Sequence, residues 1–594
     1  MAGAAAWRVT TRAAAGAWLL LVLLAAPPVT ADDAVRSELY PPDWVPGRAD
    51  DEGRFLHDFS YAGYRYGEDV PATVTGPVLD VTRPPYGADP SGDEDATVAI
   101  QAAIDDVGAA GGGTVHLPKG TYRVEPPDGS RAVLHIPYDG VLLRGDGPGR
   151  TRLYNAEAGD MRQRAVVLVG PDRSDWRSWH DDATTGAVAL TQDVREPTRT
   201  LHVTDAAGFS VGDWVVLRAD TTEAWLEEHP VAADQRWKPD TLVGLVYHRR
   251  VTAADEAART VEVDIPTRYP MLRRDGLRLH HVREPVTGSG VADLAIGMRQ
   301  SDRPEEDAED DHGRRGTSGH QAHQASAIAF NDVVDGWVDG VRSFRPPEND
   351  DDVHLLSVGI YVRYSRNITI QEVDLRHPQY RGAGGNGYLV HLMGSDTLVR
   401  DSSAEGGRHN YLVQAVQATG NVVLDSRSVD GDKATELHRH LSAANLFDNV
   451  VVDGDTLEMV YREASDHAHS GTESVMWNVS GEDCTRGRLA RTQQLGCGYV
   501  IGTSGSGACA SVENPGGDGT EPRDWVEHVG DGEHLEPRSL YLDQLERRTR
   551  GQGQVPPVAE EDDGVPAALV VTSVVVLAGA AGAGALVVVG RRRE

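Results

Sequence analysis

Short apolar runs separated by polar turns recur along the second half of the chain. Five of these runs are rich in β-branched residues, as Ile368-Thr369-Ile370 illustrates, and such residues favour strands. The polar residues before the five runs are separated by 29, 25, 28 and 29 positions; they are Asn367, Asp396, Asn421, Asn449 and Asn478. A repeat of this length predicts coils that stack, because each coil can bury its apolar edges only against its neighbours.

The same pattern disfavours two other folds. An antiparallel sandwich would show shorter and less regular spacing with hairpin signals, and a helical repeat would need apolar positions at a period near 3.6. Composition agrees with a solenoid, since 65 glycines and 32 prolines supply many tight turns. The predicted fold class is therefore all-β, in the form of a single-stranded parallel β-helix.

The coil spacing is lost between residues 187 and 285, where runs such as Trp214-Val215-Val216-Leu217 predict a small inserted β module. The predicted organisation is a signal peptide at 1–31, an extended lead at 32–78, a first β-helix part with a capping helix at 79–186, the module at 187–285, a second β-helix part with a cap at 286–550, a linker at 551–564, a transmembrane helix at 565–590 and a cytoplasmic tail at 591–594.

Both ends of the chain carry targeting patterns. Arg8 and Arg12 precede an apolar stretch that ends in small residues at Ala31, which predicts a cleaved signal peptide. Val565 to Gly590 is an uninterrupted apolar stretch followed by three arginines, which predicts a single membrane span with a cytoplasmic tail. The expected location is therefore the cell membrane, with the catalytic domain outside the cell.

Three segments near the start of the mature chain resemble a known family. They are Tyr86-Gly87-Ala88-Asp89, the stretch from Gly111 to Tyr122, and the stretch from Val141 to Gly149. They are similar to the opening coils of the pectate-lyase-like, rhamnogalacturonase/epimerase-type superfamily. The resemblance implies a right-handed parallel β-helix that acts on polysaccharides along a groove on one sheet. It is informative about the fold and weakly informative about the reaction.

Histidines mark one part of the solenoid as a candidate site. His409, His438 and His467 recur with one constant spacing, and His440 and His469 repeat that spacing. Equal steps predict that each set lines up on one wall, with rungs roughly 4.8 Å apart. Imidazole titrates near neutral pH, and nearby arginines would favour its neutral, basic form.

Since the resemblance implies a polysaccharide substrate, this cationic cluster favours one that contains uronate. A lyase removes a proton next to a uronate carboxylate, so it needs a base and cations that offset the developing charge. We expect His438 to act as the base, with Arg439 or Arg408 facing the substrate carboxylate. The predicted catalytic residues are His438, Arg439, His409, Arg408, His467 and His440, and the predicted substrate-binding residues are Arg381, His469, Glu436 and Asp466.

Other interpretations stay open at this stage. A glycoside hydrolase would use paired carboxylates, and Asp432, Glu436, Glu463 and Asp466 are the candidates. A noncatalytic glycan-binding surface protein is a third possibility, and the histidines would then form a stabilising ladder. The formal charge of −34 argues against nucleic acid as a partner. We expect a monomer without a cofactor, although calcium would suit a β-helix edge.

Overall fold

The computed structural model describes residues 34–172, 186–229, 231, 236–238, 242, 244–301, 311–464, 466–484, 486–517 and 519–552. The predicted signal peptide at 1–31 and the predicted apolar span at 565–590 lie outside these residues. The described chain is all-β with mostly parallel sheets, consistent with a parallel β-helix. Short strands alternate with tight turns because the sequence alternates apolar runs with glycine and polar residues.

Seven strands precede the module: β1 Val78–Asp80, β2 Gly113–Leu117, β3 Gly120–Val124, β4 Ala132–Ile136, β5 Val141–Gly145, β6 Thr151–Asn155 and β7 Ala165–Val169. The module contains β8 Val188–Ala189, β9 Thr200–His202, β10 Trp214–Ala219, β11 Leu245–Asp255, β12 Thr260–Val263 and β13 Arg278–His281.

The second part of the solenoid contains β14 Val286–Thr287, β15 Gly290–Ala292, β16 Ala295–Met298, β17 Ser326–Asn331, β18 Val333–Val334, β19 Trp337–Asp339, β20 Arg342–Ser343, β21 Val358–Arg366, β22 Thr369–Gln371, β23 Asp374–Arg376, β24 Tyr388–Ser395, β25 Leu398–Arg400, β26 Ser403–Glu405, β27 His409–Val413, β28 Val422–Leu424, β29 Arg427–Val429, β30 Thr435–Leu437, β31 Ser442–Ala443, β32 Leu446–Asp448, β33 Val451–Asp453, β34 Leu457–Met459, β35 Tyr461–Arg462, β36 Ala468–His469, β37 Gly471–Thr472, β38 Val475–Gly481, β39 Ala490–Thr492, β40 Tyr499–Ser504, β41 Val512–Glu513 and β42 Trp525–Val529. The α-helices are α1 Thr97–Ala109, α2 Glu223–Glu228, α3 Ser318–Ala322 and α4 Leu540–Arg547.

Parallel pairing arranges the solenoid strands in three walls. The first wall runs β1-β2-β5-β15-β19-β22-β25-β28-β32-β38-β40-β42, and the second wall runs β3-β6-β16-β20-β23-β26-β29-β33-β38. The third wall runs β4-β7-β17-β21-β24-β27-β30-β34-β39-β41. Along most of the solenoid, consecutive strands belong to different walls, and each wall is built from strands of successive coils.

The inside of the solenoid is filled by ladders of apolar side chains. In the first wall, register partners from successive coils are all buried; they are Val291, Val338, Ile370, Val399, Val423, Phe447, Met476 and Val500. Each rung covers the apolar edge of the rung before it, so burial is shared between neighbours. The outward faces are consequently free to carry polar residues.

The segment from 188 to 281 forms an antiparallel sheet in the order β8-β13-β10-β11-β12-β9. Its buried core includes Leu217 and Trp237, and it packs against Val416, Leu441 and Leu495 of the solenoid. The indole Nε1 of Trp237 donates a 2.8 Å hydrogen bond to the carbonyl oxygen of His467. The module is therefore docked beside the turns that follow the predicted histidine site.

The two ends of the described chain are covered differently. Helix α1 packs its buried face, including Ile100 and Ile104, into the solenoid core beside the first rungs. Helix α4 instead packs with the N-terminal lead against the outer face of the first wall, where Leu540 and Tyr541 join one apolar cluster with Trp477. The sequence predicts an end cap at this C-terminal helix, whereas the helix lies along a wall.

The predicted single-pass membrane location is corrected by the structure. A helix that crosses a bilayer needs about 20 apolar residues, and within the described part of the chain no helix is long and apolar enough to do so. The apolar stretch on which the prediction depends, at 565–590, is not among the described residues. Hydropathy alone identifies an apolar segment and does not establish a spanning helix.

Candidate active site

The candidate site lies on the outer face of the third wall. Strand pairing places Tyr361, His391, Leu412, Glu436 and Glu458 at equivalent positions on five successive strands. Side chains alternate between the two faces of a strand, and the neighbours of Glu436 and Glu458 at Leu437, Leu457 and Met459 point into the core. The outer face therefore carries aromatic and ionisable groups in one column.

Glu436 is the centre of this arrangement. Its side chain is only 1% exposed, and its Oε1 lies 2.5 Å from Nδ1 of His438 and 3.5 Å from Nδ1 of His409. The guanidinium of Arg462 contacts the other carboxylate oxygen, Oε2. A buried carboxylate is stable only when it is paired, and here one arginine and two imidazoles surround it.

The three repeating histidines do meet, although by a different route from the predicted one. The ring centroids of His409 and His438 are 5.5 Å apart, and those of His438 and His467 are also 5.5 Å apart. The strand register beneath them is shorter than the histidine spacing, however, since Leu412 pairs with Glu436. The prediction that the three histidines occupy equivalent positions on successive strands is therefore wrong, although their side chains do meet.

The third histidine reaches the column from a hairpin. Strands β35 and β36 pair antiparallel outside the three walls, and His467 lies just before β36. The same hairpin supplies Arg462 to Glu436. An excursion from the solenoid therefore completes the site, which a fixed coil length does not predict.

The hydrogen bonds fix which nitrogen of each imidazole can accept a proton. Nδ1 of His409 lies 2.6 Å from the carbonyl oxygen of Ala434, which can only accept, so Nδ1 carries the hydrogen. Nδ1 of His438 donates in the same way to Glu436. The Nε2 atom of each ring is therefore the basic one. The His438 side chain is 16% exposed whereas that of His409 is 3% exposed, so His438 is the more accessible base.

Burial keeps both imidazoles neutral. It holds the pKa of His438 well below its ordinary value of 6.5, and the adjacent His409 and Arg439 add to the effect. Burial likewise lowers the pKa of His409, where Arg462 and Arg408 contribute. A neutral imidazole has one ring nitrogen with a free lone pair that can accept a proton.

Sequence reasoning missed three neighbours of the site. The ring of Tyr388 packs edge-on against His409 at 5.0 Å and against His438 at 6.0 Å, and burial raises the pKa of its hydroxyl. Arg462 contacts Glu436, and His391 stacks on Tyr361 at 4.3 Å. Tyr388 is the strand partner of His409, but it does not share the spacing of the repeating histidines, so a search for that spacing could not find it.

The other predicted site residues have varied surroundings. Arg408 and Arg439 are half-buried, and each contributes a charge that lowers the pKa of a site histidine. Arg381 is exposed and forms a 3.0 Å ion pair with Asp432, while Nη1 of Arg408 donates to the Arg381 carbonyl oxygen at 3.1 Å. Arg381 and Arg408 therefore line the turn that leads to the site.

The remaining predicted residues face the inserted module. Asp466 accepts a 2.9 Å hydrogen bond from the backbone N–H of Lys238 and lies 3.5 Å from Nε2 of His440. His469 is buried against Tyr461, with ring centroids 4.8 Å apart. The contacts of Asp466 connect the solenoid to the module, and its role in substrate binding stays a prediction.

A metal ion is one possible occupant of this cluster. His409, Glu436 and His438 present ligand atoms within 4.8 Å of one another. The guanidinium of Arg462 already contacts Glu436, and a second cation would have to displace it or share the carboxylate. Calcium also prefers oxygen ligands, whereas two of these three groups are imidazoles. The arrangement suits proton transfer better than metal binding.

An open depression continues the site along the third wall. Its lining includes Arg131, Arg164, Tyr361 and Arg363. Tyr361 joins the two areas, because its ring stacks on His391. Arg363 lies over the Tyr361 ring at 4.8 Å. The outer face thus offers cationic and aromatic groups beyond the histidine cluster itself.

Comparisons with known proteins confirm the resemblance to the pectate-lyase-like superfamily. The family model described as "Rhamnogalacturonase A/epimerase, pectate lyase-like" matches residues 84–203. This segment covers the first coils and the start of the module and ends well before the histidine cluster. The match therefore speaks to the fold of the N-terminal coils and leaves the site residues untested.

Curated relatives match over a similarly short length. Mannuronan C5-epimerase AlgE1 of Azotobacter vinelandii is 45% identical over 86 residues, which is 14% of this chain and 6% of the relative. Mannuronan C5-epimerase AlgE4 of the same organism is 41% identical over 93 residues, or 15% of this chain and 16% of the relative. Alginate lyase 7, also from that organism, is 39% identical over 82 residues, or 14% and 10%.

Solved structures align over more of the chain at low identity. The tailspike protein gp49 from Pseudomonas phage LKA1 aligns with 72% of this chain and 64% of its own, at 12% identity and a TM-score of 0.42. The A-module of Azotobacter vinelandii AlgE4 aligns with 76% of this chain and 98% of its own, at 12% identity and a TM-score of 0.24. The fold assignment rests on the strand pairing of this chain.

Proposed function

We propose that this chain modifies a uronate-containing polysaccharide by removing the proton at C5 of a uronate residue. The observation that carries the proposal is the contact between Glu436 and His438 on the outer face of the third wall. Glu436 fixes the Nδ1–H tautomer of His438, whose side chain is 16% exposed, and leaves Nε2 as the base. The right-handed sense of the solenoid belongs to the same proposal, because parallel crossovers are almost always right-handed.

The charges around the base suit this reaction. Removal of the C5 proton sends the electrons of the C–H bond into the adjacent carboxyl group, which then carries additional negative charge. Arg462 lies in the cluster, and Arg439 and Arg408 lie close enough to lower the histidine pKa values. Fixed cations in a partly buried site stabilise such charge more strongly than water does.

Two outcomes follow from the same intermediate. In β-elimination the electrons return to form a C4=C5 double bond while the C4–O bond breaks, and the leaving oxygen takes a proton. Tyr388 is a candidate donor, because its raised pKa keeps the hydroxyl protonated. In epimerisation a proton is instead returned to C5 from the opposite face. The relatives named mannuronan C5-epimerase favour this second candidate, and the one named alginate lyase supports the first.

A glycosidase mechanism fits this site less well. It needs a neutral carboxyl group as acid and a second carboxyl group as base or nucleophile. Glu436 and Glu458 are strand partners on the outer face, but Arg462 contacts the first and Arg488 binds the second at 2.8 Å. The carboxylates of the site are therefore engaged by arginines, whereas the imidazoles present basic nitrogens.

The test is to incubate the purified chain with mannuronate, guluronate and galacturonate polymers in D2O. A new ultraviolet absorbance from a C4=C5 double bond identifies elimination, and deuterium at C5 in uncleaved polymer identifies epimerisation. New reducing ends without either signal would contradict the proposal and indicate a hydrolase. Binding of a polymer without product or deuterium would indicate a noncatalytic glycan-binding protein.

A further inference from the structure

A second cluster of ionisable groups lies away from the candidate active site. It forms where the chain leaves the second wall and turns toward the third wall, on two successive coils. Asp352, His354 and His377 present ligand atoms within 4.8 Å of one another. Oδ1 of Asp352 lies 3.4 Å from Nε2 of His354, and Oδ2 lies 2.9 Å from Nδ1 of His377. Two imidazoles and one carboxylate therefore converge on a single point.

We propose that Asp352, His354 and His377 bind a divalent transition metal of the zinc class. Zinc binds imidazole nitrogen and carboxylate oxygen at about 2.0–2.2 Å, and a tetrahedral angle then places neighbouring ligand atoms about 3.3 Å apart. The two imidazole nitrogens lie 3.4 and 2.9 Å from Oδ1 and Oδ2 of Asp352, respectively, so a small shift of the exposed carboxylate is enough to reach this spacing. Three protein ligands leave one position for water. Two imidazoles disfavour calcium and magnesium, which take oxygen ligands.

The backbone brings the two histidines together. The N–H of His354 donates to the carbonyl oxygen of His377 at 3.0 Å, and the N–H of His377 donates to that of Glu405 at 3.1 Å. His354, His377 and Glu405 are thus stacked on successive rungs, which places the two imidazole centroids 5.4 Å apart. His377 adopts a left-handed backbone conformation with φ of 48°. The ligands are therefore set by the solenoid and by the loop that carries Asp352.

Each imidazole also has a partner for its second nitrogen. Nδ1 of His354 lies 3.0 Å from Oγ of Ser343, and Nε2 of His377 lies 3.5 Å from Oε1 of Glu405. Such partners fix the tautomer of a metal-binding histidine and orient its ring. Arg376 is the nearby cation, and it pairs with Glu405 at 2.9 Å and with Asp374 at 2.7 Å. The direct ion pairs of Arg376 are therefore made with Glu405 and Asp374.

Accessibility distinguishes this cluster from the one around Glu436. The side chains of His354 and His377 are 13% and 31% exposed, and that of Asp352 is 66% exposed, so an ion can enter from solvent. Among the described residues, no arginine forms an ion pair with Asp352, in contrast to Glu436. A bound ion would tie the loop before β21 to the turn before β24. The proposal concerns a structural metal site and is independent of the proposed reaction.

The experiment titrates the chelator-treated full chain, without a histidine tag, with Zn²⁺ and separately with Co²⁺ and Ca²⁺. We expect one equivalent of Zn²⁺ to bind and to raise the melting temperature, Co²⁺ to give a visible spectrum of a nitrogen/oxygen site, and Ca²⁺ to bind at least tenfold more weakly. Glu405→Gln should lower Zn²⁺ affinity by about 10–100-fold. His377→Ala and Asp352→Asn should lower it further.

The matched control is His116→Ala, which removes a histidine that pairs with only one carboxylate, Asp146, at 2.9 Å. It should bind Zn²⁺ as the unmodified chain does. Asp352 is on an exposed loop, so Asp352→Asn decides the matter if His377→Ala does not fold. Absence of Zn²⁺ binding, or unchanged affinity in Asp352→Asn, would overturn the proposal. If Glu436→Gln loses Zn²⁺ binding while Asp352→Asn and His377→Ala keep it, the ion binds at the Glu436 cluster and the proposal is wrong.

Discussion

Replacement of His438 by glutamine separates a catalytic role from a structural one. Glutamine keeps a polar side chain of similar length that can still donate to Glu436, but it has no basic nitrogen. If His438 Nε2 removes the C5 proton, turnover should fall by about 10²–10⁴-fold, which is the usual contribution of a general base. The fold should be retained, because Arg462 and His409 still surround the buried carboxylate.

The cost to stability can be bounded from the contacts. His438 makes one hydrogen bond to a charged acceptor, Glu436, at 2.5 Å, and such a bond contributes about 1.5–3 kcal/mol. His438→Ala loses this bond, although partial exposure lets water occupy the space, so we expect a loss of about 1.5–2 kcal/mol, at the low end of that range. His438→Gln should lose less, since its amide N–H can replace the bond.

The assay compares initial rates of double-bond formation or C5 deuteration with free energies of unfolding in urea. His281→Ala is the control, because it removes an imidazole that faces a carboxylate, Asp213, at 3.7 Å in the inserted module. It should leave turnover unchanged. Full turnover in His438→Gln would refute the assignment of the base. Loss of turnover only in proportion to the unfolded fraction would instead support a structural ladder.

Three further perturbations test other parts of the structure. Arg462→Met leaves the buried Glu436 carboxylate without its arginine and should lower the free energy of unfolding by about 3 kcal/mol in a urea titration; an unchanged value would contradict the pairing. The pKa of His323 is lowered to about 4 by burial, so at this group only the unfolded chain binds a proton between pH 6.5 and 4. The contribution of His323 to stability should therefore fall by about 2 kcal/mol from pH 7 to 5, measured as the change with pH in the difference between the unmodified chain and His323→Gln; a difference that does not vary with pH would oppose this. Trp237→Phe removes the indole hydrogen bond to His467, which should destabilise the docking of the module by about 0.5–1.5 kcal/mol. Limited proteolysis should then cut within the module at an earlier time. An unchanged cleavage pattern would argue against this docking contact.

The repeat in the sequence was sufficient to predict the parallel solenoid but not the length of each coil. The predicted polar positions combine two different ladders. Nδ2 of Asn421 bonds to Oδ1 of Asn445 at 3.0 Å, while Nδ2 of Asn478 bonds to Oδ1 of Asn449 at 2.8 Å. The step within the first ladder is 24 and within the second is 29, because loops between the walls differ in length. Apolar runs indicate strands, but turn length sets the register.

The candidate site was predicted in part for a similar reason. The equal steps between His409, His438 and His467 identified residues that meet, although the strand register beneath them is shorter than those steps. In the second step, from His438 to His467, the excess residues leave the wall and return through a hairpin, which carries Arg462 to Glu436. No periodic signal marks a residue that arrives by such an excursion. Tyr388 was missed because it pairs with His409 at a different step from the one that relates the histidines.

The buried carboxylate explains why the histidines cannot be judged one at a time. An unpaired charge at 1% exposure would be strongly destabilising, so the chain must supply cations or donors to Glu436 whether or not it is an enzyme. That requirement accounts for Arg462 and for the Nδ1 contacts of the two imidazoles. The need to pair Glu436 does not explain why Arg408 and Arg439 lie beside the neutral imidazoles. It also does not explain why the His438 side chain is 16% exposed. Those features are not needed to pair Glu436, and they are the reason to favour chemistry over a structural ladder.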